Sequence, residues 1–365
     1  MNMDFIEALA EIEREKGISK DLLIDAIEAA MISSYKRNFN TAQNVRVDIN
    51  RQTGTIRVYA RKTVVEDVLD PRLEITLHAA REINQNYTMD DIVEIEVTPR
   101  DFGRIAAQTA KQVVTQRIRE AERGLIYNAF IEKEEDIVTG IVQRQDQRHY
   151  YIDLGKVEAV LPLTEVMPNE KFKQGERVKA YITKVENTTK GPQIILSRTH
   201  PGLLKRLFEL EVPEIYEGVV EIKSVAREAG FRSKIAVHSR NTEVDPVGSC
   251  VGPKGLRVQT IVGELRGEKI DIVRWMESVE EYVANALSPS KVLEVNVFEN
   301  EKMARVIVPD YQLSLAIGIK GQNARLAAKL TGWKIDIKSE AQAEQEYGRP
   351  RSLIEEMHQD SVSFD

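Results

Sequence analysis

Apolar side chains recur along this chain at two different periods, and the switches between them mark its elements. Phe5, Leu9 and Ile12 fall on one helical face, and Ser19 stands as a cap before "DLLIDAIEAAMISSY", so residues 4–35 read as two helices. The period then drops to two. "NVRVDIN" alternates Val45, Val47 and Ile49, "QTG" is a turn and "TIRVYARKTVV" comes next, which predicts a β-hairpin over residues 44–65. "DDIVEIEVTP" predicts a further strand near 91–98. From Asp101 the helical period returns: Ala107, Ala110, Val114, Ile118, Ala121 and Leu125 recur at spacings of three and four. One long amphipathic helix is expected there, a spacer between a head domain and the rest of the chain.

Residues 135–199 change character again. "IVTGIVQR", "HYYIDLGKVEAVLP", "ERVKAYITKVE" and "PQIILSR" are short strands punctuated by Gly, Pro, Asp and Asn, the spacing of a small barrel. "YYIDLG", the central "LP" and "IILSR" resemble, in order and spacing, the S1 RNA-binding domain, an OB-fold variant.

The remaining segment repeats itself. Gly252-Pro253-Lys254-Gly255 aligns with Gly318-Ile319-Lys320-Gly321 at an offset of 66, and "KIDI" at 269–272 with "KIDI" at 334–337 at 65. One residue is therefore gained or lost in the helix-to-strand turn. Ahead of each loop stand two strand-like runs, "EIKSVAR" and "SKIAVHS" in the first copy, "VLEVNVF" and "MARVIVP" in the second. A leading helix, two strands, a helix, GxxG, a helix and a strand is the order of the bacterial-type (type II) KH fold. A repeat this long is too long for a helical solenoid, so two small domains in tandem are expected.

Composition narrows the function. Of 365 residues 42% are hydrophobic and 30% charged, and no apolar run nears the ~20 residues of a membrane span. The acidic start, "MNMDFIEALAEIEREKG", lacks the basic and apolar regions of a secretory signal, so a soluble protein of the cytoplasm is expected. Cys250 is the one cysteine, which excludes an internal disulfide and a multi-cysteine metal site. The net charge of −7 sits at the ends: residues 131–340 carry 31 basic and 31 acidic side chains, whereas residues 341–365 carry 2 and 6. A neutral middle suits local basic grooves and moderate electrostatic affinity for nucleic acid.

The GxxG loops carry the candidate chemistry. Glycine lets the backbone approach a nucleic-acid chain, and the start of the next helix offers free N–H groups to phosphate; KH domains clamp about four nucleotides this way. A phosphate-binding P-loop is not written here, because "GSCVGPKG" lacks the required Lys-Ser/Thr pair. Arg257, Asn323 and Arg325 lie just past the loops and are candidates for phosphate or base contacts, against the alternative that they are solvated helix-face residues. Of Tyr150 and Tyr151 only one can face outward from a strand to stack a base, and Tyr151 aligns with the S1 surface aromatic. His78, His149, His200, His238 and His358 are scattered without metal-ligand spacing, and Cys250 has no histidine nearby in sequence. No catalytic constellation, cofactor or metal is expected, and the many acidic residues read as helix-surface charge.

Read whole, "LSRTHPGLLKRLFELEVPEIYEGVVEIKSVAREAGFRSKIAV", "DPVGSCVGPKGLRVQTIVGELRGEKIDIV" and "LAIGIKGQNARLAAKLTGWKIDI" closely resemble the NusA family of bacterial transcription termination/antitermination factors. The resemblance covers roughly residues 1–345 and implies a multidomain α+β protein. Residues 1–133 would be a head that binds RNA polymerase near the RNA exit channel, 134–200 an S1 domain, 201–277 and 278–344 two KH domains, and 345–365 an acidic, disordered tail. It implies binding of nascent single-stranded RNA, longer pauses, support of intrinsic termination, and antitermination with NusG and NusB, by a monomer without enzymatic activity. Some members carry further acidic repeats at the C-terminus; this sequence stops at 365 without them, which puts regulation through such repeats in doubt. Gly252, Lys254, Gly255, Gly318, Lys320 and Gly321 match the KH loops directly, with Pro253 stiffening the first and Ile319 an apolar occupant of the second; together with Arg257, Asn323 and Arg325, placed by their position after the loops, and Tyr151 they make up the candidate RNA site. Polynucleotide phosphorylase also combines KH and S1 domains, but with KH before S1 and a large catalytic core ahead of both, unlike the order here. A general RNA-binding protein without a polymerase contact is the other alternative.

Overall fold

The computed structural model describes residues 3–39 and 44–347. Of these, residues 3–39 and 44–128 with 189–192 form one compact unit, and residues 129–188 with 193–347 form the other.

In the first unit, helices α1 (Met3–Lys16) and α2 (Lys20–Asn38) precede strands β1 (Val45–Ile49), β2 (Ile56–Val65), β3 (Glu74–Thr76), helix α3 (Leu77–Ile83), β4 (Ile92–Glu96) and the long helix α4 (Phe102–Ile131). Strand β2 pairs antiparallel with β1 and β4 and parallel with β3. The alternating Val45, Val47 and Ile49 point into a core with Leu23, Ile27 and Met31 of α2. Ser19 occupies the cap position without a side-chain bond; instead the N–H of Lys20 donates to Glu13 Oε1 at 3.1 Å. Helix α4 forms as expected, but its buried residues are Phe102, Ala106, Thr109 and Ala110 near its start and Phe130 near its end, whereas Ala107 and Leu125 are exposed. At the start of this helix the Phe102 ring packs edge-on against Tyr35.

The second unit begins with a barrel of β5 (Ile137–Gln145), β6 (His149–Asp153), β7 (Glu158–Pro162), β8 (Arg177–Thr188) and β9 (Gly191–Ser197) in the order β5-β6-β7-β9-β8. Two KH modules come after it. The first has α5 (Pro201–Glu211), α6 (Pro213–Tyr216), β10 (Val220–Glu228), β11 (Arg232–Ser239), α7 (Pro246–Val251), α8 (Leu256–Glu264) and β12 (Lys269–Arg274). The second has α9 (Val279–Ala286), β13 (Glu294–Phe298), β14 (Met303–Val308), α10 (Leu313–Ile317), α11 (Gln322–Thr331) and β15 (Lys334–Ser339). In each sheet the middle strand pairs antiparallel with the strand before it and parallel with the last.

Strand β11 is buried on both faces. Ile235 and Val237 enter a core with α5, α7 and α8, which also takes Met167 and Tyr181 from the barrel. Ala236, with Ala226 and Val273, lies against the second module's Tyr282, Leu287, Leu326 and Leu330. Two continuous cores thus join barrel to first KH module and first to second. Charges at these junctions are buried too: Arg198 binds the buried Glu170 and the half-buried Glu264, and Arg227 binds Glu268. Reading every acidic side chain as surface charge therefore fails at Glu170 and Glu268, where a guanidinium offsets the cost of burying the carboxylate.

The tail reading also needs correction at its start. Helix α12 (Glu340–Tyr347) continues from β15, and Ser339 and Gln342 cap it reciprocally, each side chain accepting from the other's backbone N–H. Ala343 is buried. The rest of the expected tail lies outside the described residues.

Candidate nucleic-acid interface

Each GxxG loop begins where a helix ends on glycine. Helix α7 closes on Gly252 at φ 74°, ψ 174° and α10 on Gly318 at φ 77°, ψ 172°, a corner of backbone space that side chains other than hydrogen do not tolerate. Space is lacking as well: a Cβ would lie 2.6 Å from Cγ of Arg257 at Gly252, and 2.8 Å from the backbone N of Asn323 at Gly318. The third residue, Lys254 or Lys320, is left-handed at φ 53° in both loops. The fourth is again left-handed, Gly255 at φ 76°, ψ 12° and Gly321 at φ 74°, ψ 16°. Each loop is closed by its last N–H donating to the first carbonyl, at 3.0 Å for Gly255 to Gly252 and 3.1 Å for Gly321 to Gly318.

One conformation is therefore written twice. It presents Pro253 and Lys254, or Ile319 and Lys320, to solvent, and Ile319 is 84% exposed. Helices α8 and α11 start directly behind the loops, so their first N–H groups and positive dipole ends lie beside the lysines.

Two of the residues behind the loops turn inward. Arg257 is half-buried and directs Nη1 inward, to Glu214 at 2.9 Å and to the carbonyl of Ser249 at 2.7 Å. Asn323 is 1% exposed, and its Nδ2 donates to the carbonyls of Leu287 and Ala316, both at 3.0 Å. Its side chain cannot touch RNA in this conformation; it ties α11 to α10 and α9 instead. Both residues brace a loop from behind. Spacing places a side chain on a helix but does not show which direction a neighbouring module blocks.

Arg325 remains exposed and near the loop. Its Nη1 donates to the carbonyl of Lys320 at 3.1 Å and its Nε to Glu228 Oε1 at 2.7 Å, while Gln322 donates to Glu228 Oε2 at 2.8 Å. Glu228 belongs to the first module and was not singled out from the sequence. The Arg325 hydrogen bond in particular holds its carboxyl below the usual value.

On the barrel, Tyr150 points inward and meets Phe172 edge-on at 5.5 Å, so Tyr151 is the outward tyrosine. The Arg144 guanidinium lies 3.4 Å from the Tyr151 ring centre, and the phenol donates to Asp146 at 2.8 Å. Backbone N–H donation from Arg148, and after it this phenol, keeps the Asp146 carboxyl far below the usual carboxylate range. Cys250 is buried and its thiol is pushed up to about 12, chiefly by burial. Among the described residues no group of three or more His, Cys, Asp and Glu is placed to hold a metal ion, and no helix is long and apolar enough to cross a membrane.

Lys234 was also missed. It sits in the middle of β11, fully buried, and reaches Asp271 and the carbonyl of Ser288 at 2.8 Å each, linking the two modules. Burial lowers its pKa. The sequence held one signal, a lysine at an apolar strand's centre, but nothing there named its partners.

Comparison with known proteins agrees with this layout. Family models for the NusA N-terminal domain, the S1 RNA binding domain, the NusA-like first KH domain and the NusA-like second KH domain match residues 4–124, 132–198, 198–275 and 279–345. A transcription termination/antitermination protein NusA of Halalkalibacterium halodurans is 75% identical over 94% of this chain and 90% of its own length. The protein of that name from Bacillus subtilis is 68% identical over 98% of this chain and 96% of its own, and that from Thermus thermophilus 42% identical over 92% and 89%.

Proposed function

The chain belongs to the NusA family, and from that premise we propose that it is a transcription elongation factor that docks on RNA polymerase near the RNA exit channel through its head and tracks the nascent single-stranded RNA with its S1 and KH domains. In this reading it lengthens hairpin-dependent pauses, assists intrinsic termination and joins NusG and NusB in antitermination. It acts in the cytoplasm as a monomer and without catalysis of its own. The observation that carries the RNA part is the pair of GxxG loops in one backbone conformation, each offering a lysine beside a helix start, on modules joined by continuous cores.

Charge fits the same picture. A segment with balanced charge binds RNA weakly by itself, and tethering to a polymerase that extrudes RNA raises the local concentration to about the mM range, so weak sites suffice. Residues 131–345 alone are expected to bind single-stranded RNA with micromolar or weaker affinity; nanomolar binding at physiological salt would contradict this.

The test is the half-life of a hairpin-stabilised pause with purified bacterial RNA polymerase. The full chain should lengthen the pause, and Asp at Pro253, Lys254, Ile319 and Lys320 together should remove the RNA-dependent part. A pause unaffected by a chain that still binds RNA would instead favour a general RNA-binding protein, and polymerase capture by the full chain would separate the two readings.

A further inference from the structure

Beyond its buried brace, the second GxxG loop differs from the first in a way that its backbone does not reveal: a carboxylate from the neighbouring module pairs with the cation behind it. Glu228, the last residue of β10, faces Gln322, Arg325 and Lys329, which lie at spacings of three and four on α11. Arg325 bridges Glu228 and the Lys320 carbonyl of the loop. At the matching place behind the first loop the chain has uncharged Gln259, and at the position matching Gln322 the exposed Leu256.

We propose that Glu228 is an internal competitor for RNA phosphate: its carboxylate holds Arg325 in the free protein, and a phosphate entering at the Lys320 loop takes the guanidinium over. Three observations carry this. The pair is reachable, since the Arg325 side chain keeps 48% exposure, against 22% for Glu228. The guanidinium already touches the loop that is offered to RNA, so taking it over needs a change of partner and not a rearrangement of backbone. The competitor also lies on the other module, so an occupied second loop loosens one polar link between the modules while the apolar core beneath it stays intact. An ion pair this exposed is weak enough to be exchanged. The consequence is a lower resting affinity for anions at the second loop and a higher discrimination against short or non-specific RNA, which engages one loop at a time.

The proposal rests on the reading that the GxxG loops contact RNA, and the experiment separates the two. Full-length wild type, Lys320→Asp, Glu228→Gln, Arg325→Gln and the double variant Glu228→Gln/Arg325→Gln would be titrated with fluorescent single-stranded RNA of random sequence over a series of salt concentrations. Glu228→Gln should bind about two- to fivefold more tightly at low salt, the range that an exposed ion pair is able to withhold. That gain should shrink as salt rises, because the attraction of Glu228 for Arg325 that the variant removes is itself screened. The double variant should lose the gain. A merely structural Glu228 would give weaker binding at unchanged salt slope in Glu228→Gln, and that result overturns the proposal. If Lys320→Asp leaves binding untouched, the loop reading itself fails; if Lys320→Asp weakens binding and Glu228→Gln does not strengthen it, only the competitor is wrong.

Discussion

The two KH loops have the same backbone and different foundations. Behind the first lies a charged brace, Arg257 held by Glu214 and the Ser249 carbonyl. Behind the second lies a neutral and fully buried one, Asn323 between the carbonyls of Leu287 and Ala316. The comparison teaches that the GxxG conformation is specified locally, by the glycines and the left-handed lysine, and that the chain is free to vary what supports it. In the proposed reading RNA contact goes with the part that is shared, and stability goes with the part that is not.

The comparison breaks first at the leading glycines. Gly318→Ala should be the most damaging change, because its Cβ meets backbone and its φ and ψ are open to glycine alone; a loss of about 3 kcal/mol or more is expected from strain and overlap together. Gly252→Ala meets the stem of Arg257, a side chain that can shift, and should cost less. Gly321→Ala, left-handed but with Arg325 Nη1 3.9 Å away as the nearest neighbour, should cost only about 1–2 kcal/mol. Urea unfolding of the three variants ranks them, and equal midpoints would show that the loops tolerate any small residue.

Next come the braces. Asn323→Ala strips a donor from two carbonyls and should cost about 1–3 kcal/mol. Arg257→Ala removes a half-buried ion pair and should cost about 1 kcal/mol. The reverse order in thermal melting would mean that the charged brace, and not the buried amide, does the holding. Smaller still is the difference between loops in RNA binding. Lys254→Asp and Lys320→Asp should each weaken single-stranded RNA by a few-fold, both through phosphate repulsion, measured by fluorescence anisotropy at fixed salt. An effect from one loop alone would refute their equivalence.

The gentlest probe is pH. Burial alone would push the Glu268 carboxyl up, but the Arg227 hydrogen bonds and charge, with Ser233 and Gly230, more than offset it and hold it below its ordinary value. The folded state thus binds that proton less readily than the unfolded state does. Its stabilisation is present at neutral pH and declines as pH falls below about 4.5, with a slope of at most about 1.4 kcal/mol per pH unit. Glu268→Gln should flatten that part of the stability profile, and the second module has no counterpart, because its shorter turn, Gly332–Trp333, contains no acidic residue.

Much of this architecture was legible because it is periodic or repeated. The alternation in "NVRVDIN" became β1, and the offset slip from 66 to 65 became a physical difference: α8 leads into the turn Leu265–Glu268, and α11, one residue longer, into Gly332–Trp333. The loops' place before a helix was equally plain. What stayed hidden was everything set by contact between modules. Asn323 is polar and at a helix start, so nothing in its neighbours along the chain foretold burial under Leu287. Glu228 and Lys234 stand in strands where alternation allows an outward charge, and only the arrival of the second module turns them inward. Residues 66–90 carry no clear period, so β3 and α3 were not foreseen, although Thr76 caps α3 by accepting from the Ala79 N–H at 3.3 Å.

The double burial of β11 has a consequence for how the tandem can be handled. A first KH module cut away at its apparent boundary would leave Ala226, Ala236 and Val273 wet and Lys234 without the Ser288 carbonyl. What looks like two beads on a string is, thermodynamically, one cooperative body, so calorimetry should find a single transition for the pair, and dissection into separate halves would yield two damaged proteins in place of two functional ones.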